Sequence, residues 1–90
     1  MTTLPPAGVK KFPEDSLENK VYSIVESFKE NIPIMNDRYR LGYNLYKFVT
    51  GEGDPPEISV KNSKLHLENI TEAELATKIS EKLKEITNKN

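Results

Sequence analysis

The chain has no cysteine and a single histidine, His66. The first absence excludes disulfides, zinc-thiolate sites, thiol catalysis and redox sensing. The second leaves no recognisable metal-ligand spacing, because one imidazole among scattered carboxylates does not make a site. No apolar run approaches the roughly 18 residues of a membrane span. The stretch from Met1 to Phe12 lacks the hydrophobic segment of a secretory signal, so a cytoplasmic protein without a membrane partner is expected. An excess of one charge sign is missing as well. Thirteen Lys+Arg stand against 14 Asp+Glu, for a net charge of −1. A dedicated nucleic-acid binder draws its affinity from a basic excess, and here only a local patch could supply one. The glycine loop Gly51-Glu-Gly-Asp-Pro-Pro56 has neither the lysine and following helix of a P-loop nor the strand–helix context of a dinucleotide turn. No cofactor is expected.

What the chain does contain is enough apolar residue for one small domain. Ninety residues with 36% hydrophobic and 30% charged content give a thin core. Dimerisation or partner binding would add buried surface to it.

Residues 1–13 read as a flexible tail. Pro5, Pro6 and Pro13 break regular structure, and Leu4, Val9 and Phe12 show no period. The alternative is a strap in which Phe12 or Val9 packs on the domain. Residues 14–88 are read as a single compact domain.

Within it, Leu17, Val21, Ile24, Val25, Phe28 and Ile32 follow one face of a helix predicted over Ser16–Asn31. Asp15 or Ser16 would cap it, Asp15 and Glu18 having capping-box spacing, and Pro33 would end it. A second helix is predicted over Asp37–Val49, capped by Asn36 or Asp37, with Gly51 at its left-handed C-terminal position. Gly42 inside it costs roughly 1 kcal/mol against alanine, which a close approach of another backbone could justify.

Glu57–Lys61 and Lys64–Glu68 both alternate polar and apolar residues. A two-residue turn at Asn62-Ser63 would set Val60 opposite Leu65 and Ile58 opposite Leu67, all on one face of a β-hairpin. A last helix follows. Thr71 and Glu74 form a capping box, Ile70 and Leu75 a hydrophobic staple, and Leu75, Ile79, Leu83 and Ile86 the core stripe. The expected architecture is therefore α+β, in the order helix, helix, β-hairpin, helix.

On the hairpin's polar face His66 would lie opposite Ser59 and between Glu57 and Glu68. A Ser/His/Glu group is the raw material of a hydrolytic site, but a solvated strand face is polar by default and no cleft is implied. The second helix carries the more informative pattern. Tyr39, Tyr43 and Tyr46 lie roughly opposite Leu41, Leu45 and Phe48 around its axis, whereas a helix that covers one core needs a single apolar stripe. Such a helix is sandwiched inside the fold or presents its tyrosines to a partner. Tyrosine and arginine dominate protein interfaces, so Arg38, Tyr39, Arg40, Tyr43 and Tyr46 are the expected contact residues of a small non-catalytic protein-binding or regulatory protein, self-association included. The alternative is a DNA- or RNA-binding regulator using Arg38, Arg40, Lys47, Lys61 and Lys64. Two helices and a hairpin would then be arranged as in a winged-helix domain, an analogy of fold alone. The Pro33 connection and the lack of a third helix before them count against it.

Overall fold

A computed structural model describes residues 16–87. These form four α-helices: α1 (Leu17–Glu26), α2 (Met35–Val49), α3 (Pro56–Ser63) and α4 (Glu72–Thr87). No β-strand occurs among the described residues. The α+β expectation is therefore corrected to an all-helical fold. The helices close a ring in which α1 packs on α2, α2 on α3, α3 on α4 and α4 on α1. Inside it lie Val21, Ile24, Val25, Phe28, Ile32, Leu41, Leu45, Val60, Leu75, Ala76, Ile79 and Leu83. None of the helices is long and apolar enough to cross a membrane. The tail expected at 1–13, and Asp15 as a cap, lie outside the described residues.

Ser16 caps α1, its hydroxyl accepting the Asn19 N–H at 3.1 Å. The helix stops at Glu26, earlier than the apolar period suggests. Ser27 donates its hydroxyl to the Ile24 carbonyl at 2.5 Å, and the chain continues through tight turns in which Phe28, Lys29 and Asn31 donate to carbonyls three residues back. Phe28 and Ile32 stay buried, so the apolar period outlasts the helix. α2 begins at Met35 with no side-chain cap on its first turn. The expected cap Asp37 is instead buried and holds partners from elsewhere in the fold. Gly51 takes a φ of 91° just past the end of α2, as the helix terminus requires.

The predicted hairpin divides into two different structures. Glu57–Lys61 is helical because Pro55 and Pro56 pre-set a helix start and because the buried positions Pro56, Ser59, Val60 and Ser63 recur with helical spacing. Two of those positions are serines, whose hydroxyls are satisfied internally. Ser59 donates to the Asp54 carbonyl at 2.8 Å and Ser63 to the Ser59 carbonyl at 2.7 Å. Ile58, expected beside Val60, is 43% exposed. Lys64 ends α3 in the left-handed region at φ 52°. The alternation over Lys64–Glu68 is nonetheless physical. Leu65 and Leu67 are half-buried against the core, while Lys64, His66 and Glu68 are exposed. This segment is tied to the α1–α2 connection, the Glu68 N–H donating to the Asn31 carbonyl and Asn31 Nδ2 to the Glu68 carbonyl. It covers the core without a strand partner. α4 starts as its capping box predicts, with reciprocal 3.1 Å bonds between Thr71 and Glu74.

Candidate docking face

The face of interest forms where α1 meets α2. Gly42 is buried, and a Cβ built on it would lie 2.5 Å from Tyr22 Cδ1 and closer still to Cε1. The close approach anticipated at this glycine is thus made by a side-chain ring rather than a backbone. With no side chain at residue 42, the Tyr22 ring settles over α2 and stacks on Tyr39, with ring centroids 5.5 Å apart and planes inclined by 29°. Burial holds the Tyr22 phenol well above the usual tyrosine range, with further contributions from Tyr39, Tyr43, Glu18 and Tyr46. All four tyrosines of the chain therefore belong to one cluster.

The cluster is graded from inside to outside. Tyr46 packs against the core, Tyr39 and Tyr22 are half-buried, and Tyr43 is 53% exposed. The Lys47 ammonium stands 5.4 Å from the centroid of the Tyr43 ring. Met35, one turn before Tyr39 on the same stripe, is 41% exposed and extends the apolar surface toward the start of α2. Of the two faces expected of this helix, Phe48 packs on the core as the leucine face requires, but so does Tyr46. Leu41 and Leu45 are fully buried on one side, and α1 covers only part of the other. Tyr22 and Met35 were not among the expected contact residues. Tyr22 lies beside Val21, off the core stripe of α1, and only the α1–α2 packing brings it to the tyrosines. Met35 lies before the expected helix start.

The two arginines are engaged by partners within the fold. Arg38, its side chain 11% exposed, donates from Nε to Glu26 Oε2 at 3.0 Å and from Nη1 to the Ile32 carbonyl at 2.7 Å, fastening the end of α1 to α2. Arg40 donates from Nε and Nη2 to the Ser63 carbonyl at 2.9 and 2.7 Å, and from Nη2 to Asp37 Oδ1 at 2.8 Å. It thereby caps the last turn of α3. Asp37 Oδ2 accepts the His66 main-chain N–H at 3.0 Å, and Asn44 Nδ2 donates to Ser63 Oγ at 2.9 Å. Arg40, Asp37, Asn44, Ser63 and His66 thus form one network joining α2, α3 and the extended segment. Lys61 and Lys64 are exposed at the end of α3. No hairpin means no wing, so the winged-helix arrangement is corrected as well.

The strand face expected around His66 is absent. Its Nε2 lies 3.1 Å from Glu68 Oε2, while Ser59 is buried in α3 and bonded to Asp54. A helix does follow the glycine loop, contrary to expectation, but the lysine of a phosphate cradle is still lacking. A polar cleft of about 140 Å³ between α2 and this loop is lined in part by Asn44 and Ser59, whose side chains are already committed within the fold. Among the described residues no group of three His, Asp or Glu could hold a metal. No family model, no curated protein and no solved structure matches the chain.

Proposed function

We propose that this chain is a small non-catalytic binding protein whose contact surface is the tyrosine face of α2, completed by Tyr22 and Met35. The observation that carries this reading is Tyr43, the most exposed of the large apolar residues among those described, held at the outer edge of an aromatic cluster whose other members are half-buried. A rigid aromatic platform with one exposed ring and an adjacent cation loses little side-chain entropy on docking. Arg38 and Arg40 are committed to partners within the fold, which favours the tyrosines over them as the contact. The nucleic-acid alternative has less behind it, since both of its arginines are engaged within the fold.

The test is capture with the whole chain as bait, comparing wild type, Tyr43→Ala and Ile58→Ala. Tyr43→Ala is expected to lose the partner, or a self-contact read by light scattering, with little effect on thermal unfolding. Ile58→Ala, an exposed apolar residue on α3, is expected to retain it. Loss with both variants, or with neither, refutes the assignment of this face.

A further inference from the structure

We propose that the occupant of the tyrosine face is a second copy of this chain, docked about a two-fold axis that runs along α2, so that Glu18 of each copy meets Lys47 of the other. This rests on the reading of the face as a contact surface and names its partner. α1 runs back along α2. Glu26 at the end of α1 bonds Arg38 near the start of α2, and Tyr22, one turn earlier, stacks on Tyr39 and fills the space over Gly42. Glu18 is one further turn back, about 6 Å along the helix. It is thereby level with the last turns of α2, where Lys47 lies.

Around α2 the two charges flank the aromatic row. Lys47 is about 140° from Gly42, the position that Tyr22 covers, and Met35, Tyr46, Tyr39 and Tyr43 fall in that order between them. The face therefore has an acidic edge on α1 and a cationic edge on α2. Glu26 and Arg40 continue the two edges toward the start of α2, each with 46% of its side chain exposed although engaged within the fold. Glu18 and Lys47 have no ion-pair partner among the described residues. These edges decide how a copy can dock. A two-fold axis across α2, in the plane of the face, turns the copy end for end and sets each edge against its like. An axis along α2 exchanges the edges instead, and the acidic edge of each copy meets the cationic edge of the other at the same height. Opposed like charges weaken an interface, and opposite ones fix its register. An isologous contact uses every such pair twice. Met35, Tyr39 and Tyr43 then lie along the axis, which buries the apolar surface that a single copy leaves exposed. Two short helices present a small face, at the low end of specific interfaces, so the dimer is weak and depends on concentration.

The test is absolute mass by light scattering on the whole chain, in a concentration series from about 10 μM to about 1 mM. Wild type is expected to move from monomer toward dimer over this range. Lys47→Glu and Glu18→Lys are each expected to raise the dissociation constant about tenfold or more, since each puts two like-charged pairs in place of two opposite ones. An equimolar mixture of the two variants restores opposite charges at both contacts and is expected to dimerise to within about threefold of wild type. The double variant, with both changes on one chain, is expected to do the same. A wild type that stays monomeric overturns the proposal. So does a Lys47→Glu chain that dimerises as well as wild type or better, which is the result for the end-for-end arrangement. A mixture no better than either variant alone overturns it too. Failure here is distinct from failure of the contact face. A monomeric wild type that captures a partner through Tyr43 removes the second copy and keeps the face. A dimer of full strength in Tyr43→Ala refutes both.

Discussion

The ring of Tyr22 stands where a side chain at residue 42 would be. A Cβ on Gly42 would meet Tyr22 Cδ1 at 2.5 Å, far inside van der Waals contact. In an exposed helix, replacing glycine by alanine stabilises by roughly 1 kcal/mol. Here the overlap reverses the sign. Gly42→Ala is expected to lower the unfolding free energy by about 1–3 kcal/mol, the usual cost of overpacking. In a Tyr22→Ala background the same change should become neutral or stabilising. Urea denaturation of the four chains gives the coupling. Effects that add to within about 0.5 kcal/mol would show that the two residues do not meet.

Arg40 separates a structural role from a contact role. If it serves a partner, Arg40→Ala leaves the monomer's stability unchanged. The geometry says otherwise, because its loss strips a ligand from the buried Asp37 and two bonds from the Ser63 carbonyl. A loss of about 1–3 kcal/mol is expected, the cost of leaving buried polar groups unsatisfied. Arg40→Lys should recover little of it, since an ammonium cannot reach both acceptors at once as the planar fork does. Thermal unfolding followed by circular dichroism decides the point.

The phenol of Tyr22 has a pH consequence. Its pKa in the folded chain lies above the unfolded value of 10.0, chiefly because burial disfavours the phenolate. The folded state thus holds the proton more tightly than the unfolded one. Stability from this source is fully present below the unfolded pKa and is lost as pH rises above it. Urea midpoints should fall as pH rises from neutral to above about 10, and Tyr22→Phe should flatten that part of the decline. An identical decline in Tyr22→Phe would place its cause elsewhere.

Lys64 tests α3 itself. At φ 52° it occupies the left-handed position that glycine adopts without strain. Lys64→Gly should therefore stabilise the fold by about 0.5–1 kcal/mol. In a β-hairpin the same position would open the second strand, and glycine there would destabilise. The sign of the change in urea midpoint distinguishes the two structures.

Three of the four helices were legible from apolar spacing, and α4 down to its capping box. α3 was not, because five residues that alternate polar and apolar fit a strand and a short helix about equally well. Its inward face also includes Ser59 and Ser63, which count as polar although their hydroxyls are satisfied within the helix and its lead-in. The double proline before it was the available signal. At the candidate face, Tyr39, Tyr43 and Tyr46 were placed together by helical geometry alone. Tyr22 needed the packing of α1 on α2, which spacing within one helix does not give. The partners of the arginines were not legible for a related reason. Arg40 has a partner at i−3 in Asp37, but its main acceptor, the Ser63 carbonyl, is 23 residues away.

The aromatic cluster also makes the protein its own reporter. The sequence has no tryptophan, and its four tyrosines are all in the cluster. Ultraviolet emission from the unlabelled chain thus arises from this one face. Anything that docks there, whether a second copy or an external peptide, changes the surroundings of the exposed Tyr43 ring and of the half-buried rings it leans on. A titration in an ordinary fluorimeter, with a partner lacking tyrosine and tryptophan, would read occupancy of the face directly.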